Sequence, residues 1–353
     1  MLILHTGFLR PLFPPKPAAA GAPASDWLRA LSEAQAGALL LDREIPAWAW
    51  PGIENALRPP GGSFLAWAMH PPAFRLPGAP AAPPEGYPLA SLDKEARQTA
   101  LRAHLDCLPL AERLECRLWV LRLGRVEMDD PMPELADLFR RERLPESEEG
   151  IERGKAILAD RAARAGKIAG AARWSLEKLF KPAERQGLAL CLETAWDVRG
   201  YPTYREAREL LEEFAGAPLG WWHNAGHASA HAQLGLAQES TILERLGPWM
   251  RGGTFHGARG ALDHLPPEEG VGDLRSLAGK TPAGLPWAVD VRRRRAGGRP
   301  SAGQADREAW AREKERQGRK GLSASPAPEE EETLPAAPGL VREVMEGLAG
   351  MGF

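Results

Sequence analysis

Cysteine is scarce: the 353 residues include three, Cys107, Cys116 and Cys191. An odd number at such wide spacing builds neither a disulfide framework nor a paired-cysteine zinc site, so they are read as small buried hydrophobes. No apolar run approaches the ~20 residues that a membrane span requires. Met1 to Pro17 lacks a basic segment leading into an apolar one, so no signal peptide is expected and the chain is assigned to the cytoplasm. Charge of one sign is not in excess either, with 45 Lys and Arg against 47 Asp and Glu. That balance argues against a surface built as a whole for nucleic acid. No internal repeat at a fixed period is present.

What is there is a chain 44% apolar and 26% charged, enough for a sizeable core. Short apolar runs alternate with helical periodicities. Strands are expected at Leu2 to His5, Leu39 to Leu41, Ser63 to Met69, Arg117 to Leu121, Leu188 to Glu193, Pro218 to Trp222, Gly252 to His256 and Leu285 to Val291. Helices are expected at Asp26 to Ala36, from an N-cap at Ser91 through Ala111, over Glu148 to Phe180 as one or two helices closed by Gly187, at Thr203 to Ala215 and at Gln238 to Arg245. This alternation predicts an α/β fold, a parallel sheet wrapped in helices.

Such folds place their chemistry where strands meet the following loops, and polar residues collect there: His70, Glu193, His223, Asn224, His256 and Asp290. Each also has a plain reading. Glu193 alternatively pairs with Arg122, Asp290 with Arg292 to Arg295 on the surface, and His70 caps a strand. His227 and His231 lie one helical turn apart, and His231 is read as an exposed side chain.

After Arg295 the composition shifts to Gly, Ala, Arg, Ser, Glu and Pro, so residues 296–337 are expected to be a disordered linker. Arg292 to Lys320 carries eleven Lys and Arg against four Asp and Glu, with Trp310 as its only aromatic, which does not support base stacking. Residues 338–353 read as a short amphipathic helix that either docks back on the barrel or meets a protein partner.

Three strings together resemble the sugar phosphate isomerase/epimerase superfamily of TIM barrels, to which xylose isomerase and endonuclease IV also belong. Ala172 to Glu193 is similar to the family's helix and fifth strand ending in a metal-binding glutamate. Asn224-Ala225-Gly226-His227-Ala228 resembles its Asp-x-Gly-His-Ala turn. His256 to Gly270, with Asp263-His264-Leu265-Pro266-Pro267 inside, resembles the loop after strand seven. The likeness covers residues 1–295 and implies a (β/α)8 barrel followed by the linker and the terminal helix.

The resemblance implies Glu193 and Asp290 as proton-transferring carboxylates. It also implies a divalent metal (Mn, Zn or Mg) held by Glu193, Asn224, His227, His256, Asp263, His264 and Asp290. Departures stand beside the matches: Asn224 replaces an aspartate ligand, Thr254 a histidine ligand, Gly257 an aspartate, Asp290 a glutamate and Arg122 a histidine. Endonuclease-type trinuclear zinc chemistry is therefore not expected. His70, Arg122 and Trp222 are assigned to substrate, with Arg122 suited to an anionic group. The first function is metal-assisted isomerisation or epimerisation of a small polyhydroxy or keto compound through an ene-diolate. The alternatives are a degenerate barrel acting as a binding or scaffold protein and, last, endonuclease IV-like nucleic-acid processing.

Overall fold

A computed structural model of the chain describes residues 2–6, 25–34, 37–42, 45, 54–55, 57, 65–70, 88–142, 144–267, 269–270, 277, 279–294, 333–335 and 338–350. Short apolar runs flanked by breakers form the strands β1 (Leu2–His5), β2 (Ala38–Leu41), β3 (Leu65–Met69), β4 (Leu118–Leu121), β5 (Ala189–Leu192), β6 (Leu219–Asn224), β7 (Met250–Phe255) and β8 (Trp287–Val289). They close a barrel in the order β1-β8-β7-β6-β5-β4-β3-β2, every neighbour parallel. Parallel neighbours need crossovers. Described helices of the shell are α1 (Ser25–Glu33), α2 (Lys94–Arg113), α3 (Met132–Arg140), α4 (Glu148–Arg185), α5 (Tyr204–Glu213), α6 (Ala225–Gln233), α7 (Glu239–Leu246) and α8 (Pro338–Gly350). The (β/α)8 expectation is met.

Two helix ends differ from expectation. Asp93, not Ser91, caps α2, because its Oδ1 accepts from the Glu95 and Ala96 N–H groups at 2.8 and 2.9 Å. Residues 148–185 form one 38-residue helix, capped by Ser147 at its start. Gly187 follows its end at φ +64°, the left-handed conformation that glycine adopts at least cost.

The final helix belongs to the shell. It packs on α1 and β8 and buries Val341, Val344 and Leu348, so the apolar face that was a candidate for a protein partner is covered within the chain. Within the expected linker, Thr333–Pro335 pairs antiparallel with Arg292–Arg294 just beyond β8. Residues 295–332 lie outside the described residues, as do 7–24 and 71–87. Among the described residues no helix is long and apolar enough to cross a membrane.

Alternate residues of each barrel strand point inward. Ile3, Leu40, Ala68, Val120, Cys191, Trp222 and Ala288 form an interior apolar cluster, and Thr254 joins this layer through a hydrogen bond from the Trp222 indole. Gly252 makes room for it: a Cβ there would approach the Trp222 ring to 2.4 Å. Two residues further along all eight strands, the inward position is polar. These residues are His5, Asp42, His70, Arg122, Glu193, Asn224, His256 and Asp290.

Candidate active site

The eight polar positions sit at the carboxyl ends of the strands, and all but Arg122 are buried. Contacts run around the mouth as a closed ring. His5 Nδ1 lies 3.2 Å from Asp290 Oδ2, which lies 3.1 Å from His264 Nε2. The His264 ring stacks on His256 at 4.3 Å, and His256 meets His227 edge-on at 5.5 Å. His227 feels the charge of Glu193, and Arg122 Nε donates to Glu193 Oε2 at 2.5 Å. Arg122 acts electrostatically on His70, whose ring meets His5 at 5.7 Å.

Glu193 is fully buried and remains ionised. Burial alone would raise its pKa, but Arg122, then His70 and His227, hold it well below the usual carboxylate range. Its second oxygen, Oε1, accepts from Asn224 Nδ2 at 3.0 Å. The amide orientation is fixed from both sides, because Asn224 Oδ1 accepts from the His227 N–H at 3.0 Å and so caps α6.

His264 stands between two carboxylates, with Asp263 Oδ2 3.0 Å from Nδ1 and Asp290 on the other side. The imidazolium form donates to both. Its backbone lies at φ +58°, a left-handed conformation uncommon for residues other than glycine and one that histidine tolerates better than most, and its N–H donates to His256 Nδ1 at 3.0 Å. The surrounding contacts therefore fix this histidine in both backbone and ring. Burial pushes His256 down to about 3 and His70 down to about 4, so both are neutral at physiological pH.

Several expected residues are placed differently by the structure. Trp222, assigned to substrate, is fully buried one layer below the mouth and bonded to Thr254, because its strand position is two residues short of the polar ring. Asp290 is buried rather than on the surface. Arg122 is engaged with Glu193, the plain reading of that pair. His231 is buried, not exposed, and donates from Nε2 to the Trp196 carbonyl at 2.7 Å. His227 donates from Nδ1 to the Thr194 carbonyl at 2.9 Å. His5 and Asp42 belong to the ring but were not among the expected residues. The signal was present, since each directly follows an apolar run, as Glu193 does.

His223 lies on the opposite face of β6 from Asn224. Its ring packs edge-on to Trp287 at 6.1 Å, fully buried, and neither ring nitrogen has a hydrogen-bond partner among the described residues. Burial pushes it down to about 4. Above the ordinary histidine pKa of about 6.5 the group is neutral in folded and unfolded chains alike. Below it the unfolded chain takes up the proton first, so stability falls by up to about 1.4 kcal/mol per pH unit until the folded value is passed. His223→Leu is expected to add about 1 kcal/mol at neutral pH by removing an unsatisfied polar ring, and to flatten the loss on acidification to about pH 5. Urea denaturation at both pH values measures it.

Gly226 lies in the first turn of α6, beneath His256. A Cβ at this position would come within 1.9 Å of the imidazole, which the His264 N–H and ring hold in place. Gly226→Ala is expected to cost about 1–3 kcal/mol and displace His256. A thermal melt, together with the His256 ring resonances by NMR, checks both effects.

The metal set implied by resemblance does not fit these residues. Asn224 turns its NH2 group, not its carbonyl, toward Glu193, and Thr254 is bonded to Trp222. His256 Nε2 is buried without a partner, as a ligand atom would be, and its Nδ1 lies between the His264 N–H at 3.0 Å and the Gly257 carbonyl at 3.2 Å. Among the described residues no group of three or more His, Cys, Asp or Glu is arranged to hold a metal ion.

No protein-family model and no curated protein matches the sequence. Solved structures do match in fold. L-ribulose 3-epimerase superposes with a TM-score of 0.60 at 9% identity, covering 99% of this chain and 93% of that one. IolI protein with a bound zinc atom gives 0.59 at 10%, covering 100% and 99%. D-allulose 3-epimerase from Methylomonas sp., in complex with D-allulose, gives 0.57 at 10%, covering 99% and 96%. The chain has the fold of the xylose isomerase-like TIM barrels; at these identities the likeness is one of architecture.

Proposed function

We propose that the barrel mouth binds a small polyhydroxy or keto compound and isomerises or epimerises it by proton transfer next to its carbonyl. The observation that carries this reading is the closed ring of polar strand ends, in which three buried carboxylates, Asp42, Glu193 and Asp290, stand among imidazoles, an amide and one guanidinium. The fold shared with sugar epimerases supports it.

The chemistry follows from the residues. A carboxylate removes the proton from the carbon between carbonyl and hydroxyl, leaving negative charge on the carbonyl oxygen. Arg122 faces that charge as a permanent donor, and a ligand oxygen that draws its guanidinium outward releases Glu193 to act as base. The His264 imidazolium passes its proton to Asp290, which delivers it to the opposite face or to the neighbouring oxygen, leaving His264 neutral until the proton taken by Glu193 returns through solvent. His5 and His70 hold hydroxyl groups. No step is assigned to a metal.

One observation favours a second reading, a binding protein without catalysis: both oxygens of Glu193 are already engaged. Incubating the full chain with a panel of ketoses and α-hydroxy carbonyl compounds in deuterated water separates the two. Deuterium appearing beside the carbonyl supports the enzyme. Saturable binding without exchange leaves the binding protein and removes the isomerase.

A further inference from the structure

The residue that most clearly distinguishes this mouth is Arg122. Its side chain is 34% exposed, whereas the Glu193 carboxylate it contacts is completely buried. Only Nε meets the protein; the two terminal nitrogens have no hydrogen-bond partner among the described residues and are not buried. One edge of the guanidinium therefore neutralises Glu193, and the other presents N–H donors to the mouth. Arginine carries its charge throughout the physiological pH range, and Glu193 strengthens that preference against the opposing effect of burial.

We infer that Arg122 is the resident cation of this site: its guanidinium takes the electrostatic place of a divalent metal, and the mouth works without one. Four strand-end groups bear on this. Glu193 is occupied by Arg122 on one oxygen and by the Asn224 amide on the other. Asn224 cannot turn its carbonyl inward without facing two N–H donors to each other at the start of α6, where its Oδ1 now accepts from His227. Thr254 Oγ1 accepts from the Trp222 indole at 2.8 Å, which fixes its role in the layer below. Asp290 is shared by His5 and His264.

A divalent ion at Glu193 would have to displace Arg122 and would then sit beside a fixed positive charge, at a carboxylate whose two oxygens are already engaged; the more distant charges of Asp42 and Asp263 act on the same guanidinium. The guanidinium offers what the ion would: a positive charge that a carbonyl oxygen meets as it becomes an oxyanion. It adds a planar fork of donors that fixes the ligand's orientation. The inference rests on the proposed function only for the ligand that Arg122 meets; the charge arrangement stands without it.

The test is Mn2+ titration of chelator-treated full-length protein, with free Mn2+ followed by electron paramagnetic resonance. The parent is expected to bind no stoichiometric Mn2+. Arg122→Ala combined with Asn224→Asp removes one positive charge and adds one negative charge, and is expected to bind one Mn2+ at least ~10-fold more tightly than the parent. Asn224→Asp alone, with Arg122 kept, is expected to remain close to the parent. If the double variant does not fold by circular dichroism, Arg122→Met with Asn224 retained replaces it, with the same expected direction.

One equivalent of Mn2+ on the parent, lost in Glu193→Gln, would overturn the inference. So would folded Arg122 variants that bind no more tightly than the parent. Neither result depends on turnover. Absence of proton exchange in a metal-free parent would remove the proposed function and leave the assignment of Arg122 intact.

Discussion

Glu193→Gln is expected to lower the rate of proton exchange by about 10²–10⁴ while leaving the fold in place, because the change removes the charge and keeps the shape. The variant loses the base itself, since an amide does not accept the proton from carbon. It also leaves Arg122 without its buried counter-charge, and the guanidinium then meets substrate oxygens more strongly. Measured on the same compound, the apparent KM is therefore expected to stay level or fall while kcat collapses. A variant that lost kcat and affinity together with its near-ultraviolet circular dichroism would instead have lost the barrel mouth as a structure.

The largest effect on stability is expected at Arg161, which is not one of the polar strand ends. It sits inside α4, 3% exposed, and holds three partners at once. Nε donates to the Val198 carbonyl at 2.8 Å, Nη2 to the Gly200 carbonyl at 2.6 Å, and both terminal nitrogens donate to the Glu206 carboxylate at 2.8 and 2.9 Å. Glu206 in turn closes the capping box at the start of α5 with Thr203. Arg161→Met fills the volume but strands two carbonyls and a part-buried carboxylate, and is expected to cost about 3–5 kcal/mol in urea denaturation. Glu206→Gln in the same background is expected to recover part of that loss, because the uncompensated charge is gone. The segment held by Arg161 follows directly on Thr194 and Trp196, whose carbonyls fix His227 and His231. Weaker substrate binding is expected to accompany the lost stability.

The sequence shows the site most clearly where strand alternation alone decides which way a residue points. Glu193 follows a clean apolar run and His256 lies two residues after Thr254, so both fall on the inward face without knowledge of their neighbours. His223 shows the limit of reading strand ends without parity: it is polar and terminal, yet one residue from Asn224 and therefore outside the barrel. His5 ends β1 and Asp42 directly follows β2; both obey the same alternation as Glu193, and their strands are no shorter than the one before Glu193, so the same inward parity was there to be read.

Contacts between strands were legible only in part. Arg122 and Glu193 are 71 residues apart, and the plain reading of Glu193 as an acid paired with that arginine is met because β4 and β5 are neighbours. His5 and Asp290 were not linked in the sequence, and they meet because β1 pairs with β8. At Asn224 the residue type was visible as a departure, but its consequence, an amide donating to Glu193, needed the N-cap geometry of α6.

The measurement that bears most directly on the account is deuterium incorporation next to the carbonyl of a ketose or α-hydroxy carbonyl compound, followed by NMR with chelator-treated full-length protein and with Glu193→Gln beside it. The account predicts exchange in the parent without added metal and its loss in the variant. Exchange that is absent from every compound tested with folded parent protein, or equal in parent and variant, would contradict it.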